Sequence, residues 1–233
     1  MNAVITGASR GIGKAVAQIF ALHGYNVYLS SKNETHLLQA VEELQTSYPN
    51  ISIDAKAFDL GNKQEANLFG DWVSNNADTI DVLVNNVGTF VQGNISNEPD
   101  GALEQMLHVN LHSAYHTTRA LLPKMMAEKS GHIFTMCSIA SLAAYPNGGA
   151  YSISKYALLG FTKNLRHELM PYNIKVTAII PGAVYTDSWK GSGVSENRIM
   201  EAEDIAMMIY TTSRLSPQAT VEEIIIRPQL GDL

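Results

Sequence analysis

The chain has 233 residues, 45% hydrophobic and 16% charged, with 16 Lys and Arg against 22 Asp and Glu for a net charge of −6. That length and apolar content suit one large domain with a substantial core over residues 1–233 and exclude a disordered chain. The acidic balance and the lack of any Lys/Arg run argue against nucleic acid or an anionic membrane as a partner. No stretch approaches the roughly 20 apolar residues of a membrane helix, and the start Met1-Asn2-Ala3-Val4-Ile5-Thr6 lacks the basic flank and apolar run of a signal peptide. A cytoplasmic location is expected, and the single cysteine, Cys137, fits a reducing compartment as a buried thiol.

Short β-branched runs alternate with amphipathic stretches from start to finish. The first strand is expected at residues 3–6, and Thr6-Gly7-Ala8-Ser9-Arg10-Gly11-Ile12-Gly13 leads from it into a helix over 11–23. Glycines there permit a tight turn and close backbone approach to a pyrophosphate, while the helix start offers unpaired N–H groups and a positive dipole end. A strand at 26–30, a helix at 34–47, a strand at 51–57, a helix at 64–75 and a strand at 82–85 follow. Beyond them come a long helix at 103–128, a strand at 132–137, a helix at 150–170, a strand at 175–180, a helix at 204–214 and a strand at 221–227. This alternation predicts an α/β fold of Rossmann type, a doubly wound seven-stranded parallel sheet with helices on both faces. The Gly/Ser-rich stretch 186–200, containing Trp189-Lys190-Gly191-Ser192-Gly193, is either a short lid or a plain connection.

Tyr151 and Lys155 stand at i and i+4, one helical turn apart, with Ser138 thirteen residues upstream of the tyrosine. A free tyrosine has a pKa of about 10, so one used for proton transfer near neutrality needs a cation beside its phenolate. Lys155 is placed to supply it. His108, His112 and His116 recur every four residues, but no carboxylate or thiolate pattern converges on them, so polar packing or a subunit contact is expected and no metal.

Together these residues resemble the short-chain dehydrogenase/reductases in their compact form. Residues 6–13 look like that family's cofactor turn, Asp59-Leu60 its adenine contact, and Asn85-Asn86-Val87-Gly88 its Asn-Asn-Ala-Gly segment with Val87 for the usual alanine. Asn110 matches its helix asparagine, Ser138, Tyr151 and Lys155 its catalytic set, and Pro181-Gly182 with Val184 and Thr186 its nicotinamide-side motif. The resemblance implies hydride transfer between a nicotinamide and a carbonyl/alcohol pair. Tyr151 would move the proton, Ser138 would orient the carbonyl, Lys155 would also touch the nicotinamide ribose, and Asn110 would hold a water linking Lys155 to solvent. The cofactor contacts it implies are Gly7, Ser9, Arg10, Gly11, Ile12, Gly13, Ser31, Lys32, Asp59, Leu60, Asn86, Gly88, Tyr151, Lys155, Pro181, Gly182, Val184 and Thr186.

At the end of the second strand Ser31 and Lys32 stand where NAD users carry an acid, and Arg10 adds a second cation, which favours NADP. Two readings stay open there: Lys32 as a solvated loop cation, and Arg10 paired with Glu34. Residues 89–93, 141–147 and 185–189 supply aromatic surface for a small carbonyl or alcohol substrate. The family implies a homo-oligomer, dimer or tetramer. A catalytically silent NADP-binding redox sensor and a 3-oxoacyl-thioester reductase are the alternatives, and the short region after Pro181 argues against a nucleotide-sugar epimerase.

Overall fold

The computed structural model describes residues 1–189, 191 and 193–232. Seven strands, β1 (Asn2–Thr6), β2 (Asn26–Ser31), β3 (Ile53–Ala57), β4 (Val82–Asn85), β5 (His132–Met136), β6 (Lys175–Pro181) and β7 (Glu223–Ile226), form one sheet in the order β3-β2-β1-β4-β5-β6-β7. Every pairing is parallel. The helices are α1 (Gly11–Leu22), α2 (Glu34–Ser47), α3 (Lys63–Asn76), α4 (Ala102–Met106), α5 (Ser113–Glu128), α6 (Gly149–Leu169) and α7 (Ala202–Ser213). The expected Rossmann-type sheet is thus present, and its strand order reverses between β1 and β4, the switch point where such sheets open a crevice.

Two-residue alternation along each strand feeds two separate cores. Ala3, Ile5, Val27, Leu29, Val84 and Phe134 face α1, α2 and α7, with Phe20 and Ile209 at the centre of that layer. Val4, Tyr28, Leu83, Ile133 and Val176 face α3, α5 and α6, where Phe69, Leu121 and Leu165 meet them. A one-residue slip of any central strand would exchange the two sets. Side chains cap three of the helices: Asn33 accepts from His36 N, Asn62 accepts from Gln64 N and Glu65 N, and Glu201 forms a capping box with Asp204.

Three strands are shorter than the pattern suggested: β3 starts at Ile53 and not at 51, β5 ends at Met136, and β7 covers only 223–226. Beyond those bounds the ladders trail off in single backbone bonds, Val27 N to Ser52 O, Cys137 N to Ile179 O and Ala178 N to Glu222 O. The expected continuous helix over 103–128 is broken by a π-helical segment, Leu107–His112, between α4 and α5. One extra residue per turn there rotates Asn110 inward until it is fully buried. The stretch 186–200 folds into two 3-10 turns, Asp187–Trp189 and Glu196–Arg198, and a bridge pairing Val184 with Met200 closes its base. Lys190 and Ser192, which the lid reading included, lie outside the described residues. Among the described residues no helix is long and apolar enough to cross a membrane.

One buried polar group carries a thermodynamic cost. His132 lies in β5, stacked on Phe134 with 3.9 Å between ring centroids. The Thr177 hydroxyl donates to Val221 O, so its oxygen must accept the His132 Nε2–H at 2.7 Å, which fixes a neutral tautomer with Nδ1 buried and unpartnered. Burial, reinforced by Lys175, pushes this imidazole down to about 3 from an ordinary 6.5. A depressed pKa means stability that is complete above the unfolded value and lost as pH falls from 6.5 toward 3. Between pH 6.5 and 5 the wild type should lose about 1.5 kcal/mol more unfolding free energy than His132→Gln, measured by urea denaturation at each pH. Equal slopes for the two proteins would refute the assignment.

Candidate active site

The glycine turn is built by close contact. A Cβ on Gly13 would sit 2.2 Å from Gly7 O and 2.5 Å from Asn86 Nδ2, and Gly7 and Gly11 adopt φ of 65° and 54°. Asn86, after β4, donates from Nδ2 to Thr6 O and Gly7 O at 3.1 and 3.2 Å, so its amide holds the turn in place. α1 starts after Arg10 with no side-chain cap, unlike α2, α3 and α7. Its first N–H groups are therefore not claimed by a capping side chain, which suits a phosphate. Ile12 packs against the α1-side core.

At the end of β2, Ser9 and Ser31 share a hydrogen bond of 3.0 Å. Lys32 is solvated at the end of β2, and its Nζ also donates to Asp59 Oδ2 at 2.7 Å, a bond that keeps the ammonium above its ordinary pKa. Arg10 pairs not with Glu34 but with Asp187, at 3.6 Å, in the first turn of the 186–200 stretch. Asp59 Oδ1 accepts from Gly61 N and lies 3.8 Å from His108 Nε2. Burial works to raise the Asp59 carboxyl, but Lys32, Gly61 N and His108 outweigh it and hold the carboxyl below its ordinary value. Leu60 is buried in the α3-side core. The His108 ring occupies the space a Gly61 Cβ would fill, at 2.5 Å, and the His108, His112 and His116 rings run along the π segment and α5. No metal-ligating cluster occurs among the described residues.

The four residues expected to carry chemistry meet at the carboxyl edge of β4, β5 and β6. Ser138 follows β5 and starts a 3-10 turn, its Oγ accepting from Ala140 N. Burial raises the pKa of the Tyr151 phenol above its ordinary value, and the nearby Ser138 hydroxyl only partly offsets this. Lys155 is 3% exposed, donates to Met136 O at 2.8 Å and lies 5.8 Å from the Tyr151 ring centroid. Desolvation lowers this ammonium to about 8. Gly88 leaves room between these groups, since its Cβ would lie 3.4 Å from both Asn110 Oδ1 and Lys155 Nζ.

The Asn110 side chain is committed elsewhere: Nδ2 donates to Thr89 O and Ser154 Oγ, and Oδ1 accepts from Thr89 N. Both amide hydrogens are used, so the side chain fastens the chain after β4. Past β6, Pro181 ends the strand, Gly182 N donates to Ile226 O, Val184 is buried, and the Thr186 methyl lies 3.2 Å from where a Gly11 Cβ would be. The nicotinamide-side motif and the glycine turn are therefore in contact. Phe90 and Tyr151 meet nearly at right angles with 4.9 Å between ring centroids, and Tyr145 completes a three-ring cluster. Cys137 is buried, its thiol pushed up to about 11 by desolvation.

Residues 1–197 match the short chain dehydrogenase family. The chain belongs to that family. An uncharacterized oxidoreductase of Staphylococcus saprophyticus is 30% identical over 241 residues, covering 99% of this chain and 96% of its own. Among solved structures, an alcohol dehydrogenase from the archaeon Thermococcus sibiricus complexed with 5-hydroxy-NADP superposes with a TM-score of 0.91 at 25% identity, over 100% of this chain and 98% of that one. L-sorbose reductase from Gluconobacter frateurii, complexed with NADPH and L-sorbose, gives a TM-score of 0.88 at 25% identity over 97% and 94%. The chain is an oxidoreductase of the short-chain dehydrogenase family.

Sequence reasoning missed the Asp187 partner of Arg10, the placement of His108 over Gly61, and the π segment. Only an Asn amid apolar helix positions hinted at the last, and the other two depend on loop closure that no local pattern encodes. The glycine contacts predict opposite effects at two positions. Gly13→Ala should destabilise the short-chain dehydrogenase by about 2 kcal/mol, because the clash is with backbone. Gly160→Ala, inside α6 where a Cβ meets nothing within 4 Å, should stabilise it by about 0.5–1 kcal/mol. Urea denaturation of both variants checks this, and effects of the same sign would contradict the packing described.

Proposed function

We propose that this short-chain dehydrogenase transfers hydride between NADP(H) and a small carbonyl or alcohol, with Tyr151 as the proton donor in reduction and the acceptor in oxidation. The observation that carries this reading is the meeting of Ser138, Tyr151 and Lys155 on the same sheet edge as the uncapped glycine turn. The residues fit the cofactor: Gly7, Gly11 and Gly13 keep the turn free of side chains, and Ser9, Ile12 and Asn86 shape it. Gly88, Pro181, Gly182, Val184 and Thr186 would contact the cofactor between that turn and Tyr151. The likeness to structures holding NADP and NADPH supports the same choice. When bound, NADP(H) supplies or accepts the hydride.

In reduction, Ser138 holds the substrate carbonyl oxygen beside the phenol, and Tyr151 passes its proton to that oxygen. The raised pKa suits this role, since the phenol is fully protonated at neutrality. Lys155, held by Met136 O, offers a cation to the phenolate that remains. Phe90 and Tyr145 set an aromatic wall beside the carbonyl and favour a substrate with an apolar face. Exposed Tyr115, Ile153 and Tyr156 on α5 and α6 support the expected self-association.

Tyr151→Phe should lower the NADPH-dependent reduction rate by about 100-fold or more with NADPH affinity unchanged. Because the Lys155 ammonium is needed and titrates at about 8, wild-type reduction should be full below that pH and decline tenfold per unit above it. Steady-state rates with a panel of diketones and aldehydes measure both, and a rate flat from pH 7 to pH 10 would exclude the ammonium's role.

Arg10 and Lys32 are the cations placed for a 2′-phosphate. Their ion pairs with Asp187 and Asp59 are exposed and weak, so exchanging a carboxylate for a phosphate costs little. Replacing both by Ala should weaken NADPH by about 100-fold and NADH by less than about threefold, as read by fluorescence titration. Equal losses for the two would overturn the NADP assignment.

A further inference from the structure

Helix α6 carries both Tyr151 and Lys155, yet it does not cap itself. Its N-cap position is Gly148, with no capping side chain, and its first turn contains no acid. The missing acceptors come from the chain after β4, some fifty residues earlier. Gly149 N donates to Gly93 O at 3.0 Å, and Ala150 N donates to Glu98 Oε2 at 3.0 Å. Tyr151 is the next residue.

The contact is built from both sides. A Cβ on Gly149 would lie 2.8 Å from Ile95 Cγ1 and 3.1 Å from Glu98 Oε2, and one on Gly93 would lie 2.7 Å from Glu98 Cβ. Glycine stands at both positions where the segment closes on the helix. A tight turn fixes Glu98 itself: Asn97 N and Glu98 N donate to Asn94 O, and Asn94 N donates to Asn97 Oδ1. The same segment is tied at its start by Asn110 to Thr89, is bridged midway between Gly93 and Gly148, and lays Phe90 against Tyr151.

We infer that Glu98 is a positioning residue for the proton donor: its carboxylate caps the catalytic helix and sets both the place and the acidity of the Tyr151 phenol. The inference rests on the role proposed above for Tyr151. Two effects follow from one carboxylate. As a hydrogen-bond acceptor it fixes the first turn of α6, and through that turn the phenol's distance from Ser138. As an anion at the positive end of the helix it opposes the dipole that would otherwise favour the phenolate one residue away. The titratable groups around the phenol itself are Tyr145, Cys137 and Lys155, all of which stay in place when Glu98 is changed.

Glu98→Gln keeps an acceptor and removes the charge, whereas Glu98→Ala removes both. Glu98→Ala should lower kcat about tenfold with NADPH affinity within about twofold of wild type, and Glu98→Gln should return kcat to within about threefold. Ultraviolet difference titration of Glu98→Gln against the same variant carrying Tyr151→Phe isolates the one phenol, and its titration should fall by about half a pH unit. An unchanged kcat in Glu98→Ala, a loss of NADPH affinity parallel to kcat, or a phenol titration that does not move would each overturn the inference. If the wild type turns over no carbonyl, the proposed reaction fails while the phenol titration still decides the role of Glu98.

Discussion

The join between β1 and β4 is the constraint on which the rest of the molecule depends. At this point the sheet order reverses, the crossover helices diverge to opposite faces, and the crevice opens. Beyond the paired strands, one hydroxyl bonds across the end of the join: Thr6 Oγ1 donates to Val84 O at 3.2 Å and accepts from Asn86 N at 3.0 Å. The Asn86 amide then spans Thr6 O and Gly7 O. With these bonds made, the glycine turn lies so tightly on the start of α1 that no side chain fits at position 13. The start of α1 is thereby fixed beside the end of β4, with no capping side chain on its first N–H groups.

The other half of the site is held by different means. The join at β1 uses backbone contact and small residues, while the edge of β5 and α6 uses long side chains reaching across layers. Lys155 crosses from α6 to Met136 O, Asn110 from the π segment to Thr89 and Ser154, and Glu98 from the β4 segment to Ala150 N. Lys155 and Asn110 are buried, so each must find a partner or lose stability, while Glu98 is only partly buried. Burial also tunes the chemistry. It raises Tyr151 and lowers Lys155, so the ammonium becomes the stronger acid of the two by a wider margin than in water.

What the sequence made legible follows from the range of the interactions involved. Strand–helix alternation is local, and it located all seven strands and the parallel order of the sheet. The turn at 6–13 and the i, i+4 pair at 151 and 155 are also local, so the structure's placement of both at the carboxyl edge of the sheet was readable in advance. Interactions between distant segments were not. Arg10 finds Asp187, and Lys32 finds Asp59, only after the loops at the strand ends converge. The π segment escaped because an added residue in a helix leaves the apolar pattern nearly intact while shifting every later side chain by one position.

The π segment has two occupied faces: Asn110 is buried completely, while the histidines two residues to either side of it stay partly exposed and His108 rests over Gly61. The Ser113 hydroxyl takes up Val109 O at 2.6 Å, giving that carbonyl of the widened turn a partner. One irregular turn therefore serves both ends of the crevice: its inner face fixes Thr89 and the segment reaching Tyr151, and its outer face packs His108 against the loop that holds Asp59 and Lys32.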